Sequence, residues 1–109
     1  MQGMGSDRMM TQMEAHMRTM GELGADSMRA MMTTHRRMVT NMISQMNREM
    51  RDMNMTGDVA WNTTMDSVRQ DLIRLPELQG AGLRAFMPAH RARVARLMEM
   101  HGRMMRGNR

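Results

Sequence analysis

The sequence predicts an all-α protein, specifically an antiparallel four-helix bundle with a long methionine-striped second helix. Long stretches consist of methionine, alanine, arginine, glutamine and leucine, which favour helix, and only two residues are proline. Aromatic residues make up 2% of the chain, and few β-branched residues are available to build strands. A length of 109 residues indicates one small domain, residues 1–109, with a modest core.

Apolar residues recur at helical spacing in four segments. The spacing predicts helices at about residues 8–20, 27–55, 58–75 and 88–106, after a loose, glycine-rich N-terminus at 1–6. Pro76 is expected to end the third helix, and Pro88 fits the first turn of the fourth. Residues 76–87 are then a connection, with at most a short helical turn near its end. Because the first helix is short, we expect it to pack loosely or across a homodimer.

The methionines are the most unusual feature of the composition. There are 22 of them and no cysteine. Residues 1–55 contain sixteen and residues 56–109 contain six, whereas the second half has ordinary valine and leucine at its apolar positions. Codon bias would enrich both halves equally. The methionines therefore indicate selection for sulfur or for a soft, adaptable side chain.

Methionine and histidine cluster at spacings that bring side chains together on one helix face. The first set is Met13, His16, Met17 and Met20, and the second is Met31, Met32, His35 and Met38. A ladder continues through Met42, Met46, Met50 and Met53, and a last set consists of Met98, His101, Met104 and Met105. Thioether sulfur is a soft, uncharged ligand that selects Cu(I), and by the same argument Ag(I), over hard ions. These residues are the predicted metal ligands. His90 lies outside the sets.

An ordinary methionine core is the simpler explanation of such a stripe, because burial of each methionine stabilises a fold by roughly 1.5–3 kcal/mol without any metal. Two observations favour copper: leucine serves for packing in the second half, and histidine recurs within three methionine clusters. Neutral ligands leave the charge of Cu(I) uncompensated. Four acids could offset it, namely Glu14, Glu49, Asp52 and Glu99. We therefore expect few, moderately tight sites, suited to copper storage, buffering or tolerance, with exchange to a copper donor or acceptor protein.

The cysteine-free helices with Met-x-x-His, His-x-x-Met and Met-x-x-x-Met pairs resemble the methionine/histidine-rich copper-handling proteins of the bacterial periplasm. The resemblance covers mainly residues 9–53 and 98–105. It implies copper or silver binding without enzymatic activity, and a periplasmic or otherwise exported location. The ligand positions that it implies are Met13, His16, Met17, Met31, His35, Met38, Met98, His101 and Met104.

The absence of cysteine agrees with export, because a thioether cannot form a disulfide. Residues 1–6 lack a basic segment followed by an apolar run, so we expect either a mature exported chain or a cytoplasmic protein. No segment is apolar enough for a membrane span.

Other function classes have less support. The net charge is +5, but sixteen arginines are interleaved with eleven acids, so we expect solvated helix faces and no nucleic-acid binding. No nucleophile motif or phosphate-binding loop is present, which predicts that the protein is not an enzyme. A methionine-rich peptide-binding or chaperone-like module is the main alternative, and it requires an open stripe on the second helix. A sacrificial antioxidant would require exposed methionines, and Met4, Met55 and Met100 are the ones off the stripes.

Overall fold

The computed structural model describes the backbone of residues 2–107 and the side chains of residues 8–106. Five α-helices form this part of the chain, and it contains no strand. They are α1 (Gln2–Glu22), α2 (Ala25–Ala30), α3 (Met32–Asp52), α4 (Val59–Arg74) and α5 (Gly80–Gly107), with a 3-10 turn at Leu75–Glu77 between α4 and α5. The predicted all-α class is confirmed, and the number of helices is five where we predicted four.

The predicted second helix is divided at Met31, where φ and ψ are −89° and −1°. The interruption is one residue long, since the Met31 amide donates to the Ser27 carbonyl at 3.1 Å and the His35 amide donates to the Met31 carbonyl at 2.9 Å. Met28, Met32 and His35 are buried at helical spacing across the break. Apolar periodicity therefore gave no sign of it.

α3 ends at Asp52, three residues before the predicted end at about residue 55, and Asn54 sets this C-terminus. Asn54 has a φ of +58°, in the left-handed region that asparagine tolerates better than most residues. The Met55 amide then donates to the Met50 carbonyl at 2.8 Å, and the Asn54 amide donates to the Arg51 carbonyl at 3.0 Å. These bonds form a Schellman motif, which ends the helix at Asp52.

The N-terminal helix is longer than predicted. α1 begins at Gln2, so it includes residues 2–6, which we expected to be loose. After a helix has nucleated, each added residue gains a backbone hydrogen bond, and a glycine in it costs only about 1 kcal/mol. α1 also packs against α3 and α5 within the chain, with Met13 and Met20 fully buried. Packing across a homodimer is therefore not needed to cover this helix.

The last helix begins at Gly80, eight residues before the predicted start at Pro88. Gly80 has a φ of +55°, which glycine adopts without strain. Leu83 and Met87 are buried, at 0% and 1% exposure. Burying two such side chains stabilises the helix by roughly 3–6 kcal/mol. This gain offsets the cost of about 3 kcal/mol for an interior proline, so Pro88 lies inside α5.

The start of α4 agrees with the prediction. Asp58 is its N-cap, and the carboxylate accepts a hydrogen bond of 2.8 Å from the Trp61 amide. α4 packs along α5. The two helices are antiparallel, because Trp61 lies beside His101 while Asp71 contacts His90.

Methionine supplies much of the core. No methionine among the described side chains is exposed: each is buried or half-buried. Met100, which we placed off the stripes, is buried at 7% exposure. These residues therefore do not include the exposed methionines that a sacrificial antioxidant would require. None of the helices in the described part of the chain has the length and hydropathy needed to cross a membrane.

Candidate metal centre

Three histidines from three different helices meet in the core. The Nε2 atom of His16 on α1 lies 2.8 Å from Nδ1 of His35 on α3. The Nε2 atom of His35 lies 2.8 Å from Nε2 of His90 on α5. All three side chains are buried, with exposures of 8%, 0% and 0%. The result is a continuous chain of imidazoles across the bundle, which we call the core histidine chain.

One end of the core histidine chain is fixed by Asp71 on α4. Its Oδ2 atom lies 2.9 Å from Nδ1 of His90. A carboxylate can only accept, so His90 donates through Nδ1–H and its Nε2 is left as an acceptor. His35 must then donate through Nε2–H and accept at Nδ1, where the Nε2–H of His16 donates. Asp71 therefore determines the tautomers of all three rings.

Asp71 is itself held in place by Arg93. Arg93 donates through Nε to Oδ2 at 2.7 Å and through Nη2 to Oδ1 at 2.8 Å. The guanidinium also lies 5.6 Å from the centre of the Phe86 ring, which stacks on His90. This two-point contact neutralises a carboxylate that is only 5% exposed. Asp71 and Arg93 together form a pair without net charge.

The imidazoles are uncharged at neutral pH. Burial lowers the pKa of His35 to about 3, with further lowering from His90 and His16. Burial also lowers the pKa of His16 and of His90, although the hydrogen bond to Asp71 and its charge partly counteract the effect at His90. Because neutral imidazole is the metal-binding form, protons do not compete for these rings near pH 7.

The residues of the predicted ligand sets differ in how deeply they are buried. The buried members are Met13, His16, Met17, Met20, Met32, His35, Met42, Met46, Met50 and His101. The half-buried members are Met31, Met38, Met53, Met98, Met104 and Met105. The first two sets meet through His16 and His35. The last set does not join them, because His101 follows His90 by eleven residues, or about 16 Å along α5.

His101 occupies a separate cluster at the far end of α5. Its Nε2 atom lies 3.4 Å from Oε1 of Glu49 on α3. Neither atom makes a hydrogen bond with another described residue, and both are buried. Burial is the main cause that lowers the pKa of His101, and Glu49 opposes it. The ring is therefore neutral near pH 7, and the contact is not an ion pair.

Trp61 covers the same cluster. Its ring centre lies 6.4 Å from that of His101, with an interplanar angle of 34°. The indole also packs so closely on Gly57 that a Cβ atom there would overlap it. Of the four acids that we considered as charge compensation, Glu49 alone is drawn into the interior, while Glu14, Asp52 and Glu99 are exposed.

A metal ion would need thioether ligands in this protein. Among the described residues, no three side chains of histidine, aspartate and glutamate are grouped to hold one ion. The facing Nε2 atoms of His35 and His90 are 2.8 Å apart. Two nitrogens bound to one ion at about 2.0–2.1 Å each lie roughly 3.3–4 Å apart. To admit an ion, the two rings would separate slightly and His35 would adopt the tautomer protonated at Nδ1, which then donates to Nε2 of His16 while His16 carries its own proton on Nδ1.

Sequence reasoning left open whether His90 is a ligand, and it missed two residues of this centre, Asp71 and Arg93. His90 shares the three- and four-residue spacing of Leu83, Met87, Val94, Leu97 and His101. Asp71 falls three residues after Val68, on the apolar face of α4. A lone acid on an apolar face is the signal that could have identified it, because such an acid requires a buried partner. Nothing in the spacing singles out Arg93 among sixteen arginines.

Comparisons of the chain with protein-family models, with curated proteins and with solved structures each found no significant match.

Proposed function

We propose that this protein binds Cu(I) reversibly, and Ag(I) likewise, through the core histidine chain and neighbouring methionine thioethers. The observation that supports the proposal is the meeting of His16, His35 and His90 in one buried chain with nitrogen–nitrogen distances of 2.8 Å. Buried methionines lie within one helical turn of each ring: Met13, Met17 and Met20 around His16, Met32 before His35, and Met87 before His90. This pairing of imidazole with thioether suits a soft monovalent ion.

The ligand chemistry also argues against zinc. Zinc sites in proteins use thiolate, imidazole and carboxylate in sets of three or four. The chain has no cysteine, and the described residues contain no such set of the other ligands. Cu(I) accepts fewer ligands and tolerates sulfur without charge. One Cu(I) would leave the core with a single positive charge, so we expect the centre to hold few ions.

We further propose that α2 and α3 act as one interrupted helix, so that the scaffold is an antiparallel four-helix bundle. The hydrogen bonds on both sides of Met31 support this proposal. A periplasmic or otherwise exported location belongs to the same proposal, because thioether ligands survive in an oxidising compartment where free thiols do not. The function would be copper storage, buffering or tolerance, without catalysis.

The described part of α3 does not meet the main requirement of the peptide-binding alternative. It needs an open methionine stripe on α3, but Met42 and Met46 are 0% exposed and Met32 and Met50 are at most 7% exposed. The other helices cover this face. No groove of the predicted kind is therefore offered by the described part of α3.

The proposal is tested by anaerobic titration of Cu(I) against a chromophoric Cu(I) chelator, with Zn(II) as the comparison ion. We expect the protein to withdraw at least about one equivalent of copper and to ignore zinc. The His35→Gln variant, checked for folding by circular dichroism, should withdraw less copper at equal chelator. Absence of withdrawal by the wild-type protein, or equal uptake of zinc, would end the copper proposal.

A further inference from the structure

The far end of α5 contains an arrangement that the core histidine chain does not explain. Nε2 of His101 and Oε1 of Glu49 lie 3.4 Å apart, and neither has a hydrogen-bond partner among the described residues. His101 is 2% exposed, and the Glu49 side chain is 15% exposed. Buried polar atoms are almost always paired, because an unpaired one costs free energy. Two of them facing each other indicate a missing partner that both can bind.

The charges at this end favour a cation as that partner. Arg48 and Arg51 lie within two residues of Glu49 in sequence, yet no arginine forms an ion pair with Glu49 among the described residues. A monovalent cation between the two atoms would give both a partner and balance the charge of the carboxylate. The core histidine chain lacks this advantage, since its carboxylate is already neutralised by Arg93.

The surroundings favour a soft cation. Met98, Met104 and Met105 lie within one turn of His101 on α5. Met46 on α3 and Met53, the C-cap of α3, lie within one turn of Glu49. Hard divalent ions prefer several oxygen ligands, and among the described residues no three histidine, aspartate or glutamate side chains are grouped to hold an ion. Glu49 also borders a surface depression lined by Gln45, Arg48, Asp52 and Met53, through which an ion can reach the carboxylate.

We propose that His101 and Glu49 form a second soft-metal site, in which one Cu(I) or Ag(I) ion is held between the imidazole Nε2 and the carboxylate, with thioether ligands from the adjacent turns of α3 and α5. The inference rests on the proposed function for the class of ion. It is independent of the core histidine chain in position, because α5 separates His90 from His101 by about three turns. Glu49 is the new ligand, and it supplies the charge compensation that the thioethers cannot.

Trp61 makes this site separately observable. It is the one tryptophan of the sequence, and its ring centre lies 6.4 Å from that of His101. A heavy monovalent ion bound at Nε2 should quench its fluorescence, and Ag(I) does so without the redox chemistry of copper. Silver binding at this end is therefore read from Trp61, while total silver binding is read from competition with a chelator.

The experiment is an anaerobic Ag(I) titration of the wild-type protein and four variants. We expect saturable quenching at about one equivalent in the wild type. His101→Gln and Glu49→Gln should each weaken the quenching phase by about ten-fold or more. Glu99→Gln is the matched control, because it removes the same charge from an exposed position two residues from His101 and should titrate as wild type. His35→Gln should lose the part of the chelator-detected binding that belongs to the core histidine chain, and it should keep the Trp61 phase.

The outcomes separate the two proposals. Quenching that is unchanged in both His101→Gln and Glu49→Gln overturns the second site. If silver binds to the wild type without quenching Trp61, and His35→Gln abolishes that binding, the second site is overturned and the core proposal stands. Quenching that depends on His101 and Glu49, with no further silver bound, supports the second site and contradicts the core one. If His101→Gln fails to fold, the partly exposed Glu49→Gln decides alone.

Discussion

At the scale of single residues, Asp71 has the largest influence on the candidate centre. Its carboxylate accepts one hydrogen bond from His90 and two from Arg93. It thereby orients three imidazoles, of which it contacts only that of His90. Carboxylate–histidine pairs of this kind raise the basicity of a metal ligand and fix its ring. The consequence is that the Nε2 lone pair of His90 points towards His35, where the proposed ion would enter.

Replacement of Asp71 tests this role. Asp71→Asn should destabilise the fold by about 2–3 kcal/mol, because it leaves the charge of Arg93 unpaired. The value lies at the low end for a buried pair, since the Arg93 side chain is 33% exposed. Cu(I) affinity should fall by roughly 10–100-fold. Urea unfolding and chelator competition measure the two effects.

The matched control is Asp66→Asn on the same helix. Asp66 is 70% exposed and pairs with Arg69 at 3.9 Å. We expect its loss to change stability by less than about 0.5 kcal/mol and copper affinity not at all. Equal effects of the two substitutions would show that Asp71 does not orient the core histidine chain.

At the scale of helices, the sequence predicted the elements that rest on a repeated pattern. The stripe of α3 was visible because ten apolar or histidine positions follow Met28 at helical spacing. The start of α4 at about residue 58 was predicted, because it depends on a local contact in which the Asp58 carboxylate accepts from the Trp61 amide. The start of α5 was not, because Leu83 and Met87 are drawn into helix by tertiary packing that overrides the local signal of Pro88.

The residues of the candidate site likewise divide into those that the spacing within one helix predicted and those that only the packing of helices brings together. His16, His35 and their methionines were predicted from spacing within single helices. The contact between His35 and His90 joins residues 55 apart, and the contact between Asp71 and His90 joins residues on different helices. Such contacts depend on how α1, α3, α4 and α5 pack, which a single sequence does not specify. The pairing of His101 with Glu49 was missed for the same reason.

The methionine ladder of α3 gives a prediction at this scale. Met38→Leu combined with Met42→Leu should keep the fold, because leucine has a similar volume and each exchange costs less than about 1.5 kcal/mol. It should lower the number of copper ions withdrawn from a chelator, because a leucine side chain has no sulfur. Met65→Leu in α4, outside the predicted sets, is the control and should bind as wild type. Unchanged copper capacity in the double variant would move the site away from α3.

At the scale of the whole molecule, the protein is an elongated bundle with Cα principal extents of 44 × 27 × 17 Å. The 28 residues of α5 extend for about 42 Å, so this helix spans the long axis. α3 and α5 run in the same direction, because His35 faces His90 while the later Glu49 faces the later His101. The two candidate sites are therefore separate positions along one bundle.

The buried histidines make overall stability depend on pH. In the unfolded chain a histidine titrates near pH 6.5, whereas burial lowers the pKa of His35 to about 3 in the fold. Between these values the unfolded state binds more protons, so the free energy of unfolding falls as the pH falls. The slope is about 1.4 kcal/mol per pH unit for one histidine. His16, His90 and His101 act in the same direction.

We therefore expect the metal-free protein to lose at least about 2 kcal/mol of stability between pH 7.5 and pH 5, and little between pH 7.5 and pH 9. Urea unfolding followed by circular dichroism measures this at each pH. The His35→Gln variant should show a shallower decline, since it has one fewer buried histidine. A wild-type stability that is flat from pH 7.5 to pH 5 would show that the rings are accessible or already charged.

X-ray absorption at the copper edge tests the central claim most directly. The sample is the His101→Gln variant loaded anaerobically with about one equivalent of Cu(I), so that the core histidine chain is the site observed. We predict a Cu(I) edge with imidazole nitrogen and thioether sulfur in the same ligand shell. A shell that contains no imidazole scattering, or that contains nitrogen and oxygen without sulfur, would contradict a site built from histidine and methionine.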